Sequence, residues 1–200
     1  MRRDLEIVSN LIPDSSRVLD LGCGNGELLA HLAAYKNVNG YGIEIDPQGI
    51  KACIKAGVNV IEQDLNKGLA NFQSDSFDTV VMTETVQSVQ RPDILLDEML
   101  RIGKQCIITY PNFAHWRLRL YLAVRGEMPI SADLPHTWYN TPNIHLCTFE
   151  DFESLCRLKS LTIRARFVTD NRYQNHRLIN WFPNLFGTHA FYRIARSNVE

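Results

Sequence analysis

Three glycines and three acids hold most of the chemistry that can be read from this chain. In "RVLDLGCGNGELLAHL", residues 17–32, an apolar run closes on Asp20. Gly22, Gly24 and Gly26 then occupy every second position before a helix-forming run begins. Backbone without Cβ atoms turns tightly and approaches a ligand closely. The start of the following helix offers unpaired N–H groups and a positive dipole end to a carboxylate or phosphate. Two ligand classes fit: a dinucleotide, or a nucleoside that carries an amino acid.

The spacing favours the second. A dinucleotide fingerprint reads GxGxxG or GxGxxA. Here the third glycine comes one residue early, and Glu27 stands where Gly or Ala is wanted, its charge facing any pyrophosphate. GxGxG behind an acid suits S-adenosylmethionine, whose carboxylate takes the loop N–H groups while its sulfonium and ammonium lie near Asp20. A purely structural glycine turn is the plain alternative. Two further acids extend the expectation. Glu44 ends "GYGIE" about twenty residues on, where a carboxylate can accept from both ribose hydroxyls. The competing role, capping the helix that Pro47 opens, suits Asp46 better. Asp64 in "VIEQDL" is placed to accept from an adenine amino group, with the Leu65 N–H reaching the ring and Ile45 packing on its face. A solvated loop acid and a plain core isoleucine are the alternatives for Asp64 and Ile45.

No acceptor signature for group transfer accompanies these residues. Strand four runs into "TETVQSV", with no NPPY-type loop and no Pro-Cys pair. The segment 113–147 contains His115, Trp116, His136, Trp138, Tyr139 and His145. It reads as a roof over the sheet edge, with His115 or His136 as weak candidates for a catalytic base, or as a lid packed by aromatics. Exposed Trp and Tyr beside Arg117, Arg119 and Arg125 also match interface composition.

The elements that must position these residues alternate. "RVLDL", "VNGYGIEID", "VNVIEQD", "FDTVVMT" and "KQCIITYPN" read as strands. "ELLAHLAAY", "QGIKACIKAG" and "RPDILLDEMLRIG" read as the helices between them, with Pro near two starts and Gly at two ends. This order predicts an α/β fold, a parallel sheet with helices on both faces. "TFEDFESLCRL" begins with a capping box, Thr148 and Asp151. "SLTIRARFV" and "AFYRIAR" read as late strands, joined by a non-helical connection and therefore paired antiparallel. With no repeat, no low-complexity tract and 200 residues, one domain spanning 1–200 is expected.

Composition narrows the class. Hydrophobic residues make up 45% and charged residues 22%, as in ordinary globular proteins. No apolar run is long enough to span a bilayer, and the first residues lack the apolar core of a signal peptide, so a cytoplasmic protein is expected. The five cysteines form no CxxC pair and read as reduced thiols; no metal site is expected. Residues 1–100 carry eight Lys/Arg against fifteen Asp/Glu, and residues 101–200 carry thirteen against seven. An acidic first half suits a cationic ligand, and a basic second half suits an anionic substrate or an acidic partner. No basic stripe with interleaved aromatics points to nucleic acid.

The successive motifs "VLDLGCGNG", "GYGIEID", "VIEQDL", "FDTVVMTETV" and "QCIITYPN" resemble those of class I S-adenosylmethionine-dependent methyltransferases over nearly the whole chain. The resemblance implies a Rossmann-like, seven-stranded sheet with one antiparallel strand, here "AFYRIAR". "YPNFAHWRLRLYL" and "GEMPISADLPHTWYNTPNIHLCTFEDFESLC" are similar, more specifically, to the methionine biosynthesis MetW family. That likeness implies S-adenosylmethionine binding and association with homoserine O-acyltransferase (acetyl- or succinyl-), in support of its activity. An active methyltransferase on a small metabolite is the alternative, and no acceptor is implied.

Overall fold

The computed structural model describes residues 1–131 and 134–197. Its elements in chain order are α1 (Arg3–Leu11), β1 (Arg17–Leu21), α2 (Glu27–Lys36), β2 (Asn39–Glu44), α3 (Pro47–Lys55), β3 (Asn59–Glu62), β4 (Phe77–Thr83), α4 (Pro92–Ile102), β5 (Gly103–Pro111), α5 (Trp116–Arg125), α6 (Phe149–Leu158), β6 (Leu161–Thr169), α7 (Arg177–Trp181), α8 (Pro183–Phe186) and β7 (His189–Arg196). The seven strands form one sheet in the order β3-β2-β1-β4-β5-β7-β6. Strands β1 to β5 pair parallel, and β7 runs antiparallel to both neighbours. The Rossmann-like sheet with one antiparallel strand is thus as expected.

Alternation along the central strands sorts the core onto two faces. Val18, Val81, Ile107 and Phe191 face one buried cluster, with Leu5 and Val8 of α1 and Leu28, Leu29 and Leu32 of α2. Their sequence neighbours Leu19, Val80, Ile108 and Tyr192 face the other, with Leu95, Leu96 and Met99 of α4 and Phe149 and Phe152 of α6. Strands buried on both faces read as continuous apolar runs, which is how these strands look in the sequence. On the second face Tyr110 stacks on Tyr192 at 6.1 Å, and Phe152 closes on Tyr192 at 4.8 Å.

Three features depart from the sequence reading. The N-terminal stretch is a helix, α1, because Leu5, Val8 and Ile12 recur at helical spacing and are buried. The connection between β6 and β7, expected to be non-helical, contains α7 and α8; Pro183 opens α8 and Ile179 anchors α7 in the core. The two strands nonetheless pair antiparallel, as expected. The roof segment opens with α5, a helix with no buried residue.

The sheet order reverses at β1, which lies between β2 and β4. In open α/β sheets the crevice at such a reversal, beyond the carboxyl ends of the strands, receives the ligand. Two glycines of β2 set the height of the helix beside it. A Cβ on Gly40 would come 2.7 Å from Leu29 Cδ2 of α2, and one on Gly42 would collide with Cys23 Sγ in the loop between β1 and α2. Gly42→Val should therefore lift this loop and α2 together, destabilising the protein by about 1–3 kcal/mol through overpacking, as read from the urea midpoint.

Candidate functional site

The crevice holds a cleft with two chambers. The larger, about 600 Å³, is lined by Asp20, Gly22, Gly24, Glu27, Glu84 and Thr85 among others. The smaller, about 240 Å³, is lined by Glu44, Ile45, Asp64 and Leu65 among others. Gly22 and Thr85 line both, so the chambers adjoin. All the cofactor-binding residues expected from the sequence except Gly26 thus border one continuous cleft. Gly26, with φ +75°, takes the cap position of α2 instead, behind the loop.

Each glycine contributes differently. Gly24 has φ +56°, and a Cβ there would meet nothing within 4 Å. Packing does not require glycine at this position; the conformation and the open cleft do. Gly22, at φ +75°, is closed by the protein itself, since its Cβ would lie 2.6 Å from Thr85 Oγ1.

Glu44 does something the sequence did not disclose. Its Oε2 accepts from the Gly24 N–H at 2.7 Å, and its Oε1 accepts from Ile45 N–H at 2.7 Å and Asp46 N–H at 2.8 Å. The side chain is buried and pins the glycine loop to the end of β2. A carboxylate has about four lone-pair sites, so three are committed to backbone and one remains for a ligand. Asp46 caps α3 by accepting from Gly49 N–H at 3.0 Å, as expected. Asp64 Oδ1 accepts from the N–H and the side-chain amide of Asn66 at 2.9 and 3.0 Å, capping a turn of 3-10 helix. Ile45 is 59% exposed; its position on the smaller chamber, rather than any core contact, is what distinguishes it.

Asp20 is the electrostatic centre of the cleft. It is 1% exposed, and its Oδ1 is buried with no hydrogen-bond partner among the described residues. Burial, with the nearby charge of Glu44 adding to it, pushes its carboxyl up to about 7. Glu27, Asp46 and Glu84 share the lining of the same chamber, where Arg2 is the one Lys or Arg among the described residues. Arg2 is itself paired with Asp4 at 2.9 Å. Glu84 and Thr85 went unnoticed in the sequence. Glu84 carries a left-handed backbone, φ +49°, at the turn after β4, a strained conformation of the kind that gathers at ligand sites. The only signal was an acid immediately following a strand.

His115 and His136 do not line the cleft. His115 caps α5 and borders a different cavity. His136 is exposed in the irregular segment after α5. His145 is tied down, its N–H donating to Gln87 O at 2.9 Å and its Nε2 lying 3.2 Å from Gln90 O.

A carboxylate-lined cleft with one orphaned buried oxygen, and an open glycine loop at a helix start, fits a cationic, amino-acid-bearing nucleoside. The chain has the Rossmann-like fold of class I methyltransferases. A S-adenosylmethionine-dependent methyltransferase from Mesorhizobium loti superposes with a TM-score of 0.66 at 16% identity, covering 96% of each chain. The [4+2]-cyclase SpnF superposes with a TM-score of 0.69 at 16% identity, covering 97% of this chain and 80% of the other. The chain belongs to the family described as methionine biosynthesis protein MetW, whose model matches residues 2–194. A relative from Rhodopirellula baltica, the bifunctional methionine biosynthesis protein MetXA/MetW, is 38% identical over 161 residues. The match covers 76% of this chain and 26% of that relative, so the chain spans about a quarter of its length.

The raised carboxyl of Asp20 gives a signed pH effect. The folded state holds a proton that the unfolded chain releases near pH 4, so this residue's contribution to stability falls as pH rises from about 4 to about 7. Asp20→Asn removes the contribution. In urea unfolding of the ligand-free protein, the stability of the variant relative to wild type should therefore rise between pH 5 and pH 7.5. A constant difference would show that Asp20 does not titrate in this range.

Proposed function

We propose that this protein binds S-adenosylmethionine in the cleft and acts in methionine synthesis as a partner of homoserine O-acyltransferase (acetyl- or succinyl-), supporting that enzyme's activity. The observation that carries the partnership is the relative from R. baltica, in which a MetW-like unit and a MetXA unit occupy one chain. Covalent linkage supplies a high effective concentration without any strong contact. A separate chain must supply the affinity by its own surface.

The cleft supports the ligand half of this reading. Asp20 stands where a sulfonium or ammonium would satisfy its orphaned oxygen, and a bound cation favours its ionised form. Gly22, Cys23 and Gly24 donate their N–H groups to Ile43 O and Glu44 Oε2 rather than outward, so a ligand carboxylate would rely on the rest of the loop and the first turn of α2, while Glu44 keeps one lone-pair site for a ribose hydroxyl. Ile45, Asp64 and Leu65 line the smaller chamber; in this reading Ile45 would pack on the adenine face, Asp64 would accept from its amino group and the Leu65 N–H would reach the ring. S-adenosylmethionine is made from methionine, so a protein that holds it can report the pathway's output to an early enzyme, given a coupling of roughly 1–3 kcal/mol between the sites.

The partner half rests on α5. Trp116, Leu120 and Val124 lie at i, i+4 and i+8 on one stripe, exposed by 40%, 54% and 74%. Arg117 lies over the Trp116 ring and Arg125 over the Tyr121 ring, at 5.4 and 5.1 Å from the ring centroids. Arg119, grouped with them in the sequence, is exposed but tied back to the protein: its Nε donates to Ala114 O at 2.5 Å and its Nη2 to Asn184 O at 3.5 Å. It holds the loop before α5 and is a poor probe of the surface.

Two outcomes test the halves separately. Gly24→Val should abolish calorimetrically detectable S-adenosylmethionine binding at a stability cost of about 1–2 kcal/mol, the strain of a side chain in a left-handed conformation. Leu120→Asp with Val124→Asp should prevent co-purification with homoserine O-acyltransferase while leaving S-adenosylmethionine affinity unchanged. An acyltransferase fully active alone that never co-purifies with this protein would end the partner reading. A methylated metabolite formed in a turnover assay would put an enzyme in its place.

A further inference from the structure

We propose that the cavity between the start of α5 and the loop after β6 is a second binding site, for a small organic dianion that presents oxyanion groups to Arg117 and Arg172. The proposal is independent of what the cleft binds. The cavity measures about 660 Å³ and shares no lining residue with either chamber of the cleft. Its volume lies within the roughly 300–1,000 Å³ of small-molecule sites.

Its walls come from segments far apart in sequence and are fixed without a ligand. Asn112, 2% exposed, donates to Gly187 O at 2.8 Å and accepts from Ala114 N–H at 3.0 Å. This clamps the end of β5 to the approach to β7. On the opposite wall Asp170 orders its own loop: Oδ1 accepts from Arg172 N–H at 2.8 Å and Gln174 N–H at 2.9 Å, and Oδ2 lies 3.3 Å from His176 Nε2.

The charge balance gives the chemistry. Asp170 is the one carboxylate among the described residues of the lining, and it is committed to those three groups. Arg117 and Arg172 reach the same cavity from different elements, and neither guanidinium is paired with a carboxylate among the described residues. Arg117 rests on Trp116, which also lines the cavity. Two guanidinium groups against the one carboxylate leave a net positive charge among the described residues of the lining that an anion relieves, and the planar fork of each is suited to a carboxylate or a phosphate. The first turn of α5, with no side-chain cap, adds its dipole on the same side. A simple inorganic ion would leave most of this volume empty. A dicarboxylate or a phosphate ester has both the charge and the size.

Titration of the full-length protein with succinate and, separately, with glycerol 3-phosphate tests this, at constant ionic strength maintained with sodium chloride. At least one probe should give saturable one-to-one heat that chloride does not reproduce. Succinate alone identifies a dicarboxylate site, and glycerol 3-phosphate alone a phosphate-ester site. Arg117→Ala with Arg172→Ala should raise the dissociation constant about ten-fold or more. If that variant does not fold, Arg117→Lys with Arg172→Lys keeps the charge, loses the fork and should bind with an intermediate constant. No saturable binding of either probe, or wild-type affinity in the folded variants, overturns the proposal.

Discussion

The three backbone hydrogen bonds to Glu44 hold the site together. Apart from Cys23, the glycine loop has no buried side chain with which to pack, and its left-handed residues are poorly held by local preference. Glu44 replaces that missing packing with charge. One oxygen takes Gly24 of the loop, and the other takes Ile45 and Asp46 at the entry to α3. Three structural units thus meet on one carboxylate. A charged acceptor makes hydrogen bonds roughly twice as strong as neutral ones, enough to order a loop that would otherwise fluctuate. A nearby negative charge also adds to the difficulty of ionising Asp20. The residue that orders the loop is therefore one of those that prime the cleft for a cation.

The charge asymmetry of the sequence takes a spatial form. Six acids of the first half, Asp20, Glu27, Glu44, Asp46, Asp64 and Glu84, line the cleft at the reversal of the sheet. Two arginines of the second half, Arg117 on α5 and Arg172 on the loop after β6, line the other cavity. One sheet edge thereby presents two fields of opposite sign. Such an arrangement sorts ligands by charge before any shape is tested.

Much of this was legible in the sequence for a physical reason. Strands buried on both faces must be apolar throughout, and Gly and Pro must stand where helices begin and end, so β1 to β5 and α2 to α4 announced themselves. The placement of Asp20, Glu44 and Asp64 around the cleft was legible because each lies at or just beyond the carboxyl end of a strand. Long-range placement was not legible. That Glu44 would bind the loop depends on the height at which Gly40 and Gly42 let α2 lie. That Arg119 would be tied down depends on a carbonyl five residues back and on one in α8. The second cavity is lined from residues 111–118, from Ser131 and Leu134, and from residues 170–188, which no local pattern joins. The helix α1 was missed because four apolar residues in a polar stretch reveal their spacing only when a face exists to receive them.

The likeness of this fold to both a methyltransferase and a cyclase is a reminder that the sheet fixes where a ligand sits and not what happens to it. A cleft without a transfer signature can still do work if its state is passed on. The connection here is short. Thr85 and Glu84 border the cleft, and the next turn, Val86–Ser88, carries Gln87. The carbonyl of Gln87 accepts from both Ile144 and His145 N–H, at 2.8 and 2.9 Å. Those residues end the segment that α5 begins. A shift of the turn after β4 would move two hydrogen bonds of that segment at once, because both share a single acceptor. Glu84 N–H donates in turn to Thr109 O at 3.0 Å, near the end of β5 and the loop that leads into α5, which gives the cleft a second, shorter tie to that helix.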